Sequence, residues 1–202
     1  TASASNLGKM LIKICNTDSV PLVNIVRSSK QVEILKEMGA KIVCNTSDET
    51  FMNDLVEAIK KTGANLAFDA TGGGNEGMLP GQILSAMETA ALSSSDKYQI
   101  YGSNVHKQVY IYGGLDRSPT ILNRSFGMQW SLGGWLLMPM INRFGMEKFK
   151  KMRERVAKEI KTTFASEYSR NISFNEMLQP EIIRSYVLQS TGGKFLVEPH
   201  KD

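Results

Sequence analysis

The sequence alternates short apolar stretches rich in β-branched residues with amphipathic helical patterns. Four stretches have the apolar character of buried strands: residues 22–26, 41–44, 66–70 and 109–114. The helical patterns between them stop at residues such as Gly39 and Gly63, which favour a helix C-cap. Strands of this kind that alternate with amphipathic helices are typical of βαβ units. The chain is therefore expected to have an α/β fold, a doubly wound parallel sheet with helices on both faces.

The charge of the chain is concentrated in one segment. The 202 residues carry a net charge of +4, and many of the basic residues lie between positions 147 and 161. Phe149, Met152, Val156 and Ile160 follow a helical period there, so we expect a helix with a buried apolar stripe and a solvated basic face. A nucleic-acid patch is the alternative interpretation. It is disfavoured because the acidic residues Glu154 and Glu159 dilute the segment.

Cysteine, histidine and hydropathy patterns exclude several other classes of protein. Cys15 and Cys44 lie on apolar stretches, which predicts buried thiols in a reducing, cytoplasmic compartment. His106 and His200 are far apart and lack partners, so no metal site is expected. The most apolar run, residues 130–145, is short and broken by glycine and proline, so no membrane partner is expected.

A turn of small residues precedes the first helical pattern. Ser3, Ser5 and Gly8 occupy the three glycine positions of a degenerate G-x-G-x-x-G motif. Small residues let the backbone approach a phosphate, and the N–H groups at the helix N-terminus bind its charge. The alternative is a plain N-cap, with Ser5 or Asn6 capping the helix. The position of the turn ahead of three further βα units favours the phosphate interpretation.

The residues after the stretch 22–26 indicate which dinucleotide would bind. Sites for NAD usually present an acid at this position, to bind the ribose 2′-hydroxyl. This chain instead has Arg27, Ser28, Ser29 and Lys30, which suit the 2′-phosphate of NADP(H). The alternative is that Arg27 and Lys30 only start a solvated helix. Cations are unfavourable at a helix N-terminus, so their placement favours a bound anion.

Taken in order, these motifs resemble the cofactor half of the medium-chain dehydrogenase/reductase superfamily. The segments that carry the resemblance are "TASASNLGKMLIKIC", "VNIVRSSKQVEILKEMGAKIVCN", "AFDATGG", "YIYGGL" and "TGGKFLVEP". They are most similar to its zinc-free branch, the quinone oxidoreductases and 2-enoyl thioester reductases. The resemblance implies a Rossmann domain over residues 1–175 that binds NADPH. It also implies that the whole enzyme transfers a hydride to a quinone or a conjugated, enoyl-type carbonyl substrate.

The resemblance also implies roles for individual residues. The pyrophosphate would lie near Ser3, Ser5, Asn6 and Leu7, and the 2′-phosphate would lie near Arg27, Ser28 and Lys30. Those on the adenine side would be Asn45 and Thr46, and those near a ribose Thr71 and Gly72. The nicotinamide would lie in front of Gly113, Gly114 and Leu115, and its carboxamide would contact Trp135 and Leu136. For Trp130 and Trp135 the alternative is core or interface packing.

The resemblance places the catalytic group outside this sequence. In the family it lies in an amino-terminal, chaperonin-10-like barrel that the sequence lacks, so no catalytic residue is predicted and the chain alone is expected to be inactive. Residues 176–202 would be a closing helix and strand that pack on that barrel, which would leave Ile182, Tyr186 and Leu196 poorly covered. Residues 92–108 are expected to form an extra lobe or hairpin at the sheet edge.

The expected strand order leaves one strand unaccounted for. In the order 3-2-1-4-5-6, strand 1 precedes the phosphate turn, so it should end where Thr1 begins. We therefore expect a fragment of a longer reductase that lacks its first strand. The resemblance further implies a homodimer through a sheet edge near Gln108–Tyr112. A non-catalytic dinucleotide-binding or sensor module is the alternative function.

Overall fold

Helices and strands alternate in the computed structural model much as the periodicity predicts. The structure describes residues 1–93, 99–188, 191 and 194–201. The helices are α1 (Asn6–Thr17), α2 (Ser29–Glu37), α3 (Phe51–Thr62), α4 (Leu79–Leu92), α5 (Leu137–Phe144), α6 (Met146–Lys158), α7 (Phe174–Met177) and α8 (Pro180–Val187). The strands are β1 (Asn24–Val26), β2 (Val43–Asn45), β3 (Leu66–Asp69), β4 (Lys107–Ile111), β5 (Trp130–Gly134), β6 (Arg170–Ile172) and β7 (Phe195–Val197).

The strands form three parallel sheets. β1 pairs with β2, with Ile25 opposite Cys44. β4 lies between β3 and β5, with Val109 opposite both Ala67 and Leu132. β6 pairs with β7 near the end of the chain. The predicted α/β fold is thus confirmed, and so is the division of the first four strands into two neighbouring pairs.

The residues before α1 lie between the β1–β2 sheet and the β3–β4–β5 sheet. The Ser3 N–H donates to the Ile25 carbonyl at 3.2 Å, and the Ile25 N–H donates to Ser3 Oγ at 3.1 Å. On the other side, the Thr1 nitrogen donates to the Phe68 carbonyl at 2.8 Å, and the Ala70 N–H donates to Thr1 Oγ1 at 2.9 Å. Among the described residues, β1 and β3 do not pair with each other directly.

Helices cover both faces of the β1–β2 sheet. Ile25 packs with buried residues of α3 and α4, such as Leu55 and Leu84. The next residue, Val26, packs on the opposite face with Ile12 of α1 and Leu35 of α2. Successive side chains of a strand point to opposite faces, so this split follows from the strand itself. It produces the doubly wound arrangement that the sequence predicts.

The expected position of the sheet edge is wrong. The stretch Gln108–Tyr112 was predicted to lie at an edge, but β4, which contains most of it, has neighbours on both sides. Its apolar character reflects burial inside the sheet, where Val109 is fully buried. β5, which the sequence pattern did not predict, lies at the edge of the sheet beyond β4. It has two glycines and no β-branched residue, so its composition does not resemble a strand.

A buried ion pair fixes the segment that leads into β4. Lys107 Nζ donates to Glu88 Oε2 at 2.5 Å, and both side chains are almost completely buried. Ser103 donates to the same carboxylate from its N–H (2.6 Å) and from its Oγ (2.5 Å). Burial favours a raised pKa for the Glu88 carboxyl, but the hydrogen bonds from Lys107 and Ser103 outweigh it and hold this pKa below its ordinary value.

This contact also determines where residues 99–106 lie. A Cβ atom at Gly102 or Gly127 would overlap the Glu88 carboxylate, so the two glycines let the chain pass close to it. The described part of the predicted lobe therefore returns onto α4 and has no strand of a hairpin. Residues 94–98 of that predicted lobe lie outside the described residues.

The closing segment exposes part of its apolar surface. Tyr186 of α8 and Leu196 of β7 are partly exposed, as predicted, whereas Ile182 is buried, which contradicts the expectation for that residue. Other apolar side chains of α7, of α8 and of the residues that follow each helix are exposed: Phe174, Leu178, Val187 and Leu188. The boundary between the segments 1–175 and 176–202 stays a prediction.

Removal of one partner of the buried ion pair should destabilise the fold strongly. Lys107→Met leaves the Glu88 carboxylate buried without its cation, which should lower the free energy of unfolding by about 3–5 kcal/mol. The double variant Glu88→Leu/Lys107→Met removes both charges and should recover most of that loss. Urea unfolding followed by circular dichroism measures both effects.

Lys60→Met is the matched control, because Lys60 pairs with Glu57 at 2.7 Å on the exposed face of α3. Loss of an exposed pair should change the free energy of unfolding by less than about 1 kcal/mol. If Lys107→Met costs no more than Lys60→Met, the buried pair does not hold the segment before β4.

Candidate functional site

A cleft of about 820 Å³ opens at the carboxyl ends of β1, β2 and β3, in front of α1. Residues from the turn before α1 and from the strand ends line one side of it: Thr1, Ala2, Ala4, Ser5, Asn6, Val26, Arg27, Thr46 and Thr71. Residues that follow β4 and α6 line the other side: Leu115, Asp116, Tyr168, Ser169, Thr191 and Lys194. In open α/β sheets, ligands bind in this position.

The turn before α1 combines a cap with a close backbone approach. Ser5 is the N-cap, and its Oγ accepts from the Gly8 N–H at 3.1 Å. A Cβ atom at position 8 would overlap the backbone of Ser3, so glycine is required there. The N-cap interpretation is thus correct for Ser5. It leaves the phosphate interpretation open, because other N–H groups of the first turn have no acceptor within the helix.

The four residues assigned to the pyrophosphate do not all face the cleft. Ser5 and Asn6 line it. The Ser3 hydroxyl is instead buried against β1, where it accepts from Ile25. Leu7 is exposed and does not line the cleft. The Ser3 side chain therefore holds the turn to the sheet, and its small size lets the turn pass close to β1.

The end of β1 presents Arg27 to the cleft. Arg27 is exposed there, and no ion pair to its guanidinium group is found in the described part of the chain. Its backbone is fixed, since the Arg27 N–H donates to Gln31 Oε1 at 3.1 Å and the Arg27 carbonyl accepts from Ser47 Oγ at 2.8 Å. Ser28 caps α2, and neither Ser28 nor Lys30 lines the cleft.

Gln31 connects the end of β1 to the closing segment, a contact that the sequence did not reveal. Besides accepting from Arg27, its Nε2 donates to Thr191 Oγ1 at 2.8 Å. Lys194 lies in the same region of the cleft, with its Nζ 4.8 Å from the centre of the Tyr168 ring. The closing segment therefore forms part of the cleft wall near the end of β1.

Two further lysines of α1 line the cleft and were also missed. Lys9 and Lys13 are four residues apart, so they lie on one face of α1. This spacing is visible in the sequence. With Arg27 and Lys194 they give the cleft four basic side chains, against three acidic ones: Glu37, Asp116 and Glu167.

Of the two residues assigned to the adenine side, Asn45 holds its loop in place and Thr46 lines the cleft. Asn45 is buried and holds its own loop, because its Nδ2 donates to Asp48 at 2.7 Å and its Oδ1 accepts from the Ser47 N–H at 3.2 Å. Thr46 lines the cleft. The loop that follows β2 is thus rigidly attached to the strand.

The loops after β3 and β4 are joined to each other. Asp69, which is fully buried, accepts from Thr71 and from the Gly72 N–H, and this shapes the first loop. The second loop then donates to it, through the Asp116 N–H to the Thr71 carbonyl at 3.0 Å and through Thr120 Oγ1 to the Gly72 carbonyl at 2.7 Å. Hydrogen bonds from Ser118 lower the pKa of the Asp116 carboxyl, which is therefore ionised.

The residues assigned to the nicotinamide lie around two cavities. Leu115 lines the main cleft, whereas Gly113, Trp135 and Leu136 line a second, mainly apolar cavity of about 470 Å³. Gly114 lines neither of them. The second cavity lies at the ends of β4 and β5 and includes Tyr112.

The two tryptophans have different surroundings. Trp130 packs on the buried Phe126 ring at 4.7 Å between ring centres, which agrees with its interpretation as a packing residue. Trp135 contacts the Phe68 ring edge-on at 6.4 Å and also faces the second cavity. Within the described residues, no group of three or more histidine, cysteine or acidic side chains could hold a metal ion. Nor is any helix in that part of the chain long and apolar enough to cross a membrane.

Comparison with known proteins identifies the fold. No family model matches the sequence, and no curated protein matches it. Solved structures do match. One is a protein from Mesorhizobium loti assigned as an NADPH:quinone reductase, at 21% identity and a TM-score of 0.72, with 98% of this chain and 52% of that chain covered.

Two further solved structures give similar values. A protein from Bacillus thuringiensis assigned as an NADPH:quinone reductase matches at 16% identity and a TM-score of 0.67, over 98% of this chain and 55% of that chain. The mitochondrial 2-enoyl thioester reductase Etr1p/Etr2p heterodimer from Candida tropicalis matches at 19% identity and a TM-score of 0.64, over 98% of this chain and 52% of that chain. The chain thus has the fold of one part of these proteins and spans about half their length.

Gly8 offers a test of the turn geometry. A Cβ atom at position 8 would overlap the Ser3 backbone, so Gly8→Ala should displace the turn and lower the free energy of unfolding by about 1–3 kcal/mol. Gly114→Ala is the control, because its added Cβ would contact nothing within 4 Å. It should change stability by less than about 0.5 kcal/mol. Equal effects of the two substitutions in urea unfolding would contradict the close approach of Gly8 to Ser3.

Proposed function

We propose that this chain is the NADP(H)-binding part of an oxidoreductase. The observation that carries the proposal is the guanidinium group of Arg27, which lies in the cleft at the end of β1 without an ion-pair partner among the described residues. A dianionic 2′-phosphate would supply that partner. NAD(H) lacks this phosphate, and the end of β1 has no acid to bind its 2′-hydroxyl.

The other groups of a dinucleotide would also find suitable partners in the cleft. The first turn of α1 and the Ser5 hydroxyl would face the pyrophosphate, with Lys9 nearby. Thr46 would lie on the adenine side and Thr71 by a ribose. Leu115, at the other end of the cleft, would contact the nicotinamide, and the Asp116 carboxylate beside it would favour the positive charge of the oxidised ring.

The substrate class is proposed from the structural neighbours. Two are assigned as NADPH:quinone reductases, and a third was solved as the complex of Etr1p with NADP and crotonyl-CoA. We infer hydride transfer to a quinone or to a conjugated, enoyl-type carbonyl compound, for which bound NADPH supplies the hydride. The apolar cavity beside Trp135 and Leu136 would exclude water from the nicotinamide end. No residue of this chain is proposed as catalytic.

A non-catalytic dinucleotide-binding or sensor module is the second candidate. It would bind the same dinucleotide in the same cleft and transfer no hydride. NADPH oxidation in the presence of quinones and enoyl thioesters separates the two candidates. Turnover supports the reductase, and cofactor binding with no turnover in the full-length protein supports the sensor.

We also propose a cytoplasmic homodimer. Cys15 and Cys44 are buried free thiols, and burial raises the pKa of Cys44 to about 11, so both would stay protonated and unreactive in a reducing compartment. The outer edge of β5 carries no paired strand in the described residues, so it could pair with the same edge of a second copy across a two-fold axis.

The cofactor proposal predicts the effect of Arg27→Ala. Loss of a charge-assisted contact worth about 1.5–3 kcal/mol should weaken NADPH binding by about 10- to 100-fold. NADH lacks the 2′-phosphate, so its affinity should stay within about twofold. Titration of both cofactors against both proteins by calorimetry measures the two effects.

Lys36→Ala is the control for a general change of charge, because Lys36 is exposed on α2 outside the cleft. It should leave both affinities unchanged. If Arg27→Ala weakens NADPH and NADH equally, or if wild type binds NADH as tightly as NADPH, the assignment of Arg27 to the 2′-phosphate is wrong.

A further inference from the structure

The apolar stripe of α6 faces solvent, which contradicts the sequence-based expectation. The stripe predicted to be the buried face of the helix consists of Phe149, Met152, Val156 and Ile160, and Met146 lengthens it by one turn at its start. No residue of α6 is buried, and the exposed fraction is 68% for Met146, 51% for Met152 and 52% for Ile160. Helical periodicity identified the apolar face correctly but could not show whether another element covers it.

α6 is attached to the rest of the molecule through a different face. Arg155 donates to both carboxylate oxygens of Asp18, at 2.7 and 2.9 Å, and pairs with Glu159 at 3.0 Å. Hydrogen bonding to Asp18 raises the Arg155 pKa and lowers the Asp18 pKa, so both stay charged. Arg155 and Glu159 are four residues apart and lie beside the stripe on the helix surface. The attachment therefore leaves the stripe free.

The net positive charge of the chain is concentrated on this helix. α6 contains six basic and two acidic residues, a net charge of +4, which equals the net charge of the whole chain. Lys150 and Arg153 border the stripe on one side and Lys148 on the other, as the helical period requires. Arg153 lies 5.9 Å from the centre of the Phe149 ring. An exposed apolar stripe thus has Lys150 and Arg153 on one side and Lys148 on the other.

We propose that α6 docks on the surface of an anionic lipid membrane, with its stripe in the headgroup region and the bordering cations among the lipid phosphates. Basic amphipathic helices bind such surfaces by both interactions together. Leu137, Met138 and Phe144 of the preceding helix are also exposed and would add apolar area. This binding is independent of the cofactor cleft. It departs from the expectation of no membrane partner, which considered only whether residues 130–145 could span a bilayer.

Other occupants fit these observations less well. A second copy that packs α6 on α6 would bring a charge of +4 against +4. An acidic protein groove with walls on both sides of the helix would be blocked on one side, where Arg155 is paired with Asp18 at the end of α1. Nucleic acid would place its charged backbone against the apolar stripe.

Sedimentation with vesicles tests the proposal. We expect binding to vesicles of phosphatidylcholine mixed with phosphatidylserine, little binding to phosphatidylcholine alone, and loss of binding at high salt. Met152→Asp and Lys148→Glu/Lys150→Glu should each weaken binding about tenfold or more. Lys60→Glu/Lys61→Glu, which makes the same change of charge on α3, should weaken it by less than about twofold.

Several outcomes would overturn the proposal. No binding to the mixed vesicles would do so, and so would equal losses from the α6 and α3 charge variants. A dimer in light scattering that Met152→Asp converts to a monomer would assign the stripe to a second copy. Binding to polyglutamate or RNA but not to vesicles would assign it to an acidic protein or to nucleic acid. NADPH titration of Met152→Asp should match wild type, so that failure of the cofactor proposal is recognised separately.

Discussion

The hydrogen bonds of Thr1 and Ser3 with β1 and β3 determine the arrangement of everything around the cleft. A buried backbone group without a partner costs about 1–3 kcal/mol, and residues 1–3 provide partners on the facing edges of two sheets. Because Ser3 is attached to β1, the following turn lies at the carboxyl ends of the strands and α1 starts there. The cleft is thus a consequence of how these residues bridge the sheets.

The sequence predicts a helix or strand correctly where its apolar pattern matches its burial in the structure. β1 to β4 and the helices between them follow from the alternation of apolar strands and amphipathic helices. Burial agrees with the pattern for β1, β2 and β4, whereas Leu66 and Phe68 of β3 are exposed. β5 was not predictable, since Trp130–Gly134 is only half-buried and combines an aromatic residue with two glycines. The apolar pattern also did not predict burial that depends on contacts with other helices and strands. Met152 is exposed and Ile182 is buried, the opposite of what was expected.

The candidate site was predictable in outline because strand ends can be located from the sequence. Arg27, Thr46, Thr71 and Leu115 all line the cleft as expected. The sequence could not reveal that the Ser3 side chain points into the sheet or that Gln31 contacts Thr191, since both depend on tertiary packing across 22 and 160 residues respectively. Asp69 accepts hydrogen bonds from Thr71 and Gly72, which follow it closely in the sequence. The sequence does not show these contacts, because the donors reach Asp69 only in the folded loop.

The contact of Gln31 with both Arg27 and Thr191 has a consequence for how this protein can evolve. One side-chain amide satisfies a backbone N–H at the end of β1 and a hydroxyl in the closing segment. A change at either position 31 or position 191 therefore removes a partner from the other. We expect positions 31 and 191 to covary among homologues, although they are far apart in sequence. Substitutions at position 31 should correlate with those at position 191 more strongly than substitutions at the neighbouring exposed Glu33 do.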